Sequence, residues 1–288
     1  MAPRVCVVGS ANMDMTFNVT KLPRPGETML ASALTCAPGG KGCNQAIAAA
    51  RAGARVRFVG AVGDDPAGNH VRAHLLANGI DVAGTSVVPG PSGTAVIMVD
   101  ADAENAIVAA PGANAHLVVA PTVGADCEVL LTQLEIPLAA ATAAARQARA
   151  AGAVVVVNAS PVGQDHSSLA ELAADVDVVI ANEREAADWL WQPEHFVMTR
   201  GARGVRYRGA DGEFDVAAPK VSAVDTTGAG DVFAGVLAAH WPTKHGSAAQ
   251  RLRALQRAST AGALATLKLG AGDCAPPAEA IEAALRCG

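Results

Sequence analysis

Two short stretches hold residue types that can do chemistry. The first is DTTGAGD, residues 225–231. Gly228, Ala229 and Gly230 stand just ahead of VFAGVLAAH, a run that reads as a helix. A helix start leaves four backbone N–H groups without partners, and the macrodipole adds partial positive charge there. Such a corner favours an anion, above all phosphate. Asp231 falls in the first turn, with Val232, Phe233, Val236 and Leu237 forming the expected buried stripe. A helix start favours an ionised carboxylate, which makes Asp231 a weak base. Phosphoryl transfer tolerates that: its loose transition state asks for positioning and charge stabilisation, and the base need only aim the oxygen and accept its proton late. The bland alternative is an ordinary helix-opening acid.

The second stretch is APGGKGCNQ, residues 37–45. Gly39 and Gly40 let backbone approach a ligand where a Cβ would clash. Gly42 and Asn44 then open a helix. The spacing is not that of a P-loop; a tight helix entry is the competing reading. Cys43 inside this stretch reads as a packing residue, with a reactive thiol at a helix start as the minor alternative.

Polar residues also gather where strands end. Asn12 and Asp14 follow the first strand two apart, so extended chain turns them to one side. Glu135 keeps step with Gln133. Asn158 follows VVVV, Asn182 and Glu185 follow DVVIA, and Arg200–Gly204 follow HFVMT. Any one of these could be a loop cap. Ligands of open α/β sheets nevertheless bind outside the carboxyl ends of the strands.

The elements that must position these groups alternate. Val-rich runs at 4–8, 54–60, 127–133, 153–159, 177–181 and 195–199 read as strands. Ala-rich segments at 44–53, 67–79, 137–152 and 183–190 read as helices between them. Several strands are apolar on successive positions, as strands covered on both faces must be. The expected fold class is α/β: a three-layer αβα sandwich on a mostly parallel sheet. Residues 15–37 and 93–110 break the alternation, with a Pro-Arg-Pro-Gly turn in one and a polar-tipped hairpin in the other. They suggest a small β-sheet lid, discontinuous in sequence, on an α/β domain made of 1–14, 38–92 and 111–288. An isolated small sheet exposes edges and an apolar face, so it must cover a site or a second copy.

Composition narrows the classes. The chain has 288 residues, enough for one large domain. Its net charge is −5 with no long basic run, which argues against a nucleic-acid partner. No apolar stretch is long enough to span a membrane, and the opening MAPRVCVVGS is too soon broken to be a leader. The six cysteines lack C-x-x-C spacing, which fits free thiols in a reducing cytoplasm. His70 and His74 stand one helical turn apart without a third ligand, so they read as a plain amphipathic face.

GGKGCNQAIAAARAGARVRFVGAVGDDPAG (39–68) and DTTGAGDVFAGVL (225–237) resemble the two signatures of the ribokinase-like, or PfkB, carbohydrate kinases. GSANMD, PGET, PGANA, TQLE, NERE and TRGARG follow in the order of the family's ribose-phosphorylating members, over nearly the whole chain. The resemblance implies an ATP-dependent kinase acting on the 5-hydroxyl of ribose. By that likeness Asp231 is the base, and Gly228, Ala229 and Gly230 form the anion hole. Asn12, Asp14, Gly39, Gly40, Lys41, Gly42, Asn44 and Glu135 hold the sugar. Asn182 and Thr199, Arg200, Gly201, Ala202, Arg203 and Gly204 lie along ATP, together with Gly230, and Glu185 reaches its magnesium indirectly. A potassium ion is implied beside the anion hole, between Asp225 and Thr227 on one side and Ala265, Lys268 and Gly270 on the other. The lid is implied to build a homodimer.

Two departures stand out. Cys274 falls where the family often has a serine oxygen, and sulfur is a poor ligand for a hard cation. Between NERE and TRGARG only AADWLWQPEHFVM intervenes, so a helix is shortened or absent, with Trp189 and Trp191 as candidates to fill the gap. Three rival readings remain open. Another specificity within the family (fructose, a deoxyribose or a nucleoside) keeps the ATP half. A non-catalytic sugar-binding protein needs the corner damaged, which it is not. A nicotinamide oxidoreductase needs a glycine fingerprint after the first strand, where GSANMD stands instead.

Overall fold

The computed structural model describes residues 2–102, 104–124, 126–210 and 212–287. Thirteen strands and eight helices follow in chain order among these residues. They are β1 (Arg4–Val8), β2 (Asn12–Asn18), β3 (Ala33–Gly39), α1 (Lys41–Arg51), β4 (Arg55–Gly63), α2 (Pro66–Ala77), β5 (Asp81–Val88), β6 (Gly93–Val99), β7 (Asn105–Ala110), β8 (Val129–Gln133), α3 (Leu138–Ala150), β9 (Val154–Asn158), α4 (His166–Ala173), β10 (Val178–Asn182), α5 (Glu183–Asp188), β11 (His195–Thr199), β12 (Val205–Gly209), β13 (Gly212–Val216), α6 (Ala229–His240), α7 (Ala248–Ala265) and α8 (Ala278–Cys287).

Nine strands form one sheet in the order β13-β12-β11-β10-β9-β8-β1-β4-β5. From β5 to β11 every pairing is parallel, and β12 and β13 add an antiparallel edge. Side chains alternate across it as a period of two demands. Val5 and Val7 of β1 face a layer built from α1, α2, α6, α7 and α8, while Cys6 and Val8 face α3 and α4. The three-layer αβα expectation holds.

Some elements escaped the sequence reading. DVAGTSVV forms β5 although it is half exposed and only Val82 and Thr85 are buried, because an edge strand needs cover on fewer sides. The β12–β13 hairpin is an edge of the same kind. Helix α6 was expected to bury a stripe, but Asp231 to Ala239 are buried all round. It lies between α1 and α7, so no face is left to water.

A second sheet has the order β3-β2-β6-β7. Its strands correspond to the two irregular stretches, and they run further than 15–37: β2 starts at Asn12 and β3 ends at Gly39. Asn12 and Asp14 therefore belong to this sheet, where Asn12 pairs with Gly39 and Asp14 with Ala37. The shortened helix is α5, of six residues. Trp189 is buried behind it, and Trp191 packs edge-on against it at 5.7 Å between ring centroids. The two indoles fill the layer that a longer helix would cover. No helix among the described residues is long and apolar enough to cross a membrane.

Candidate active site

The site is assembled by two helix starts facing each other at the carboxyl ends of β1, β8, β9 and β10. Helix α1 begins after Gly40, whose φ of +87° suits glycine. A Cβ on Gly40 would stand 2.9 Å from the Asn12 amide nitrogen, and one on Gly42 would stand 2.6 Å from the Gly9 carbonyl carbon. These two glycines let α1 settle onto the end of β1. Gly39 serves its neighbour: a Cβ there would lie 2.0 Å from an Asp14 carboxylate oxygen.

Helix α6 begins after Gly228, with φ +80°. Ala229 and Gly230 form its first turn, no side chain caps it, and nothing lies within 4 Å of where a Gly230 Cβ would be. The corner is thus open at Gly228 and Gly230, while the Ala229 N–H donates to the Thr226 carbonyl oxygen at 3.3 Å. Asp231 is buried in the same turn. Gln45 Nε2 donates to its Oδ1 at 2.9 Å, and Asn44 Nδ2 to its Oδ2 at 3.3 Å. Gln45 Nε2 also donates to Asn158 Oδ1 at 3.1 Å, while Gln133 Nε2 donates to Gln45 Oε1 at 2.9 Å. A chain of buried amides therefore fixes the carboxylate from behind.

Gln45, Ser10 and Asn114 are functional neighbours that the sequence reading left without a role. Ser10 Oγ donates to Glu135 Oε2 at 2.6 Å, and the Lys41 amide N–H donates to the same oxygen at 3.2 Å. Asn114 Nδ2 donates to Asn12 Oδ1 at 2.8 Å, and its Oδ1 accepts from the Ala11 N–H at 2.9 Å. The available signal for Gln45 was a second amide inside a run of small and apolar helix residues that left no polar face for it.

Asn12, Asp14, Gly40, Lys41, Asn44, Glu135 and Asp231 come together around this helix pair. Two buried acceptors among them, Asp14 Oδ1 and Asn44 Oδ1, have no partner. Buried acceptors of this kind call for donors, and a polyol supplies several. Burial, then the charges of Glu135 and Asp231, push the Asp14 carboxyl up to about 7. For Lys41, burial works against the charge, but Asp231, Glu135 and Glu185 outweigh it and raise its pKa. Burial pushes the Cys43 thiol far up, which removes the reactive-thiol alternative.

Beyond Asp231 a cavity of about 160 Å³ is lined by Lys41, Asn158, Ser160, Asn182, Glu185, Thr199, Gly228, Gly230 and Asp231. Asn182 and Glu185 are also a reciprocal helix cap. Asn182 Oδ1 accepts from the Glu185 N–H at 2.9 Å, and Glu185 Oε2 accepts from the Asn182 N–H at 2.8 Å. The helix-cap reading holds, and both residues also border the cavity. Residues 200–204 do not line this cavity; Gly201–Arg203 make a 3₁₀ turn between β11 and β12. Arg200 pairs with Asp215 at 3.1 Å and Arg203 pairs with Glu183, so both cations are engaged in tying that turn down.

Behind the corner, Asp225 Oδ1 accepts from the Thr227 N–H and Oδ2 from the Gly270 N–H, each at 2.8 Å. Those bonds, with burial opposing, lower its pKa. Cys274 Sγ lies 3.9 Å from the Thr227 carbonyl oxygen and donates to the Ala271 carbonyl at 3.3 Å. Asp225, Thr227, Gly270 and Cys274 therefore meet. The Ala265 carbonyl accepts from the Lys268 N–H at 3.2 Å within the same loop.

The arrangement pairs an anion corner with a fixed carboxylate and a polyol-sized set of polar groups. The chain is similar to known proteins. Residues 2–278 match the pfkB family of carbohydrate kinases. A ribokinase of Haemophilus influenzae is 36% identical over 262 residues, covering 82% of this chain and 84% of the relative. One of Bacillus subtilis is 34% identical over 242 residues, covering 80% and 82%. The structure of an Arabidopsis thaliana ribokinase complexed with ribose and ATP superposes with a TM-score of 0.87 at 26% identity, over 99% of both chains. On these matches the chain belongs to the pfkB family of carbohydrate kinases.

Proposed function

We propose that this kinase transfers the terminal phosphoryl group of ATP to the 5-hydroxyl of D-ribose, giving ribose 5-phosphate. The observation that carries the reading is the position of Asp231. It stands between the orphaned acceptors of Asp14 and Asn44 on one side and the open amides of Gly228 and Gly230 on the other.

Asn12, Asp14, Asn44 and Glu135 accept from sugar hydroxyls, and Lys41 and the Gly40 backbone donate to them. That set orients the ring so that one hydroxyl meets Asp231. Asp231 aims this oxygen and accepts its proton as the O–P bond forms. The N–H groups of Gly228 and Gly230, at the head of α6, stabilise charge on the moving phosphoryl group. Asn182 and Thr199 border the phosphates. Glu185, at the edge of the same cavity, would approach a magnesium ion bound with ATP, which would supply charge neutralisation at the phosphates. Asp225 and the Thr227 carbonyl fit a potassium ion; Cys274 offers sulfur where an oxygen would suit better, so those oxygens carry any activation. The small sheet acts as the lid. Its exposed Leu34, Ile107 and Val108 fit a homodimer contact through that lid. Free thiols and ATP use suit a cytoplasmic enzyme.

The test is ATP-dependent ADP release over a panel of sugars. Ribose should give the highest kcat/KM, with product phosphorylated at the 5-position. A higher value with deoxyribose, fructose or a nucleoside overturns the ribose assignment while leaving the kinase family membership in place.

A further inference from the structure

The active corner lies at the carboxyl ends of the parallel strands. At the other end of the same sheet, Cys6 of β1 meets Cys127, two residues ahead of β8. The strands are hydrogen-bonded neighbours: Val5 sits beside Val129, and the Glu128 N–H donates to the Arg4 carbonyl at 2.9 Å. Both cysteines belong to the layer under α3 and α4. Both line one cavity of about 330 Å³. Cys127 Sγ donates to the Gly124 carbonyl oxygen at 3.6 Å, and the two thiols lie near enough to shift each other's titration. Cys6 is buried and Cys127 half-buried, so an oxidant reaches Cys127 first.

Exposure divides the labour between the two, and the directions in which their titrations shift agree with it. Bonds from Cys6, and beyond them the Arg4 guanidinium, hold the Cys127 thiol below its ordinary pKa. The bond it donates to Cys127, with burial, holds the Cys6 thiol well above. Arg4 and Arg57 line the same cavity and are themselves paired, with Asp126 at 2.9 Å and Asp81 at 3.0 Å. A thiolate is the attacking form of cysteine, and a neighbouring thiol is what resolves its first oxidation product.

We propose that Cys6 and Cys127 form a reversible thiol–disulfide site that takes hydroperoxides as its oxidant. The Cys127 thiolate attacks the distal peroxide oxygen; the O–O bond breaks, and the alkoxide or hydroxide leaves and is protonated. Cys127 is then a sulfenic acid. The Cys6 sulfur attacks the Cys127 sulfur, the S–O bond breaks, and the departing oxygen takes the Cys6 proton to leave as water. The two thiols lose two electrons and two protons, and the hydroperoxide is reduced to an alcohol and water. The bond would tie the start of β1 to the entry of β8, the strands that lead to Ser10 and Asn12 and to Gln133 and Glu135. It would leave Asp231 untouched. A cellular thiol reductant reverses it.

The experiment exposes the full chain to a small molar excess of hydrogen peroxide, quenches with iodoacetamide and maps the peptides by mass spectrometry. The expected result is a Cys6–Cys127 linked pair, two hydrogens lighter, that dithiothreitol restores. Exposed Cys36 serves as the internal control and is oxidised more slowly. Cys127→Ser abolishes the link without altering the kinase activity of the untreated protein. Cys6→Ala abolishes it too and leaves a dimedone-reactive sulfenic acid on Cys127. If Cys6→Ala fails to fold, the peptide map of the unmodified chain still decides. Oxidation of Cys127 no faster than Cys36, a link between other cysteines, or overoxidation of Cys127 with Cys6 still reduced overturns the proposal.

Discussion

The proposed mechanism asks catalysis of one carboxylate, and the neighbours of Asp231 determine what it can do. Asp231→Asn keeps the shape and one of the two amide contacts, since its Nδ2 cannot accept, and it cannot take a proton. Its kcat should fall by roughly 10²–10⁴-fold, with sugar affinity by calorimetry little changed. Gln45 acts one step back, through its bond to Oδ1. Gln45→Ala frees the carboxylate to turn, and kcat should drop by about 10–100-fold while the sugar KM moves much less. Asp14 carries a pH signature. Its carboxyl ionises at about 7 in the folded chain against 3.8 ordinarily. Between those values the folded state holds a proton that the unfolded chain has lost. Stability therefore falls as pH rises through that window, by about 4 kcal/mol at 1.36 kcal/mol per unit, and is flat above it. Asp14→Asn should erase this slope in denaturant titrations. Ionised Asp14 is the better acceptor, so the sugar KM of the parent enzyme should fall as pH rises through about 7.

At the scale of elements, α1 and α6 must approach closely for Asn44 and Gln45 to reach Asp231. Gly235 permits it: a Cβ there would stand 2.3 Å from the Gln45 carbonyl oxygen. Gly235→Ala should destabilise the fold by about 1–3 kcal/mol, seen in thermal melts, and should lower turnover through the displaced α1. The loop around Asp225 offers a second case. With Cys274 in place of an oxygen, potassium should activate weakly over sodium. Cys274→Ser should strengthen that activation; no change between the two enzymes would remove this loop from cation binding. The two glycine stretches were legible because their function is local: a positive φ or a missing Cβ is written in the residue itself. Residues 200–204 were not legible in the same way. Arg200 and Arg203 are spoken for by Asp215 and Glu183, partners distant in sequence.

Across the whole molecule, the small sheet and the large one meet at the end of β1, where the chain passes within four residues from Val8 in one to Asn12 in the other. If the exposed Ile107 and Val108 join two copies, Ile107→Lys should shift sedimentation toward the monomer with the main sheet intact. Alternation of apolar runs sufficed to foresee a parallel sheet between helix layers, because burial on both faces forces a hydrophobic run. The anion corner and its acid were equally visible, since a glycine-flanked helix start has its chemistry in adjacent residues. The amide chain from Gln133 and Asn158 through Gln45 to Asp231 was not. Nor were the edge strands β5, β12 and β13, or the meeting of Cys6 with Cys127. These depend on which strands become neighbours and how closely two helices pack, and such long-range choices leave no periodic mark along the chain.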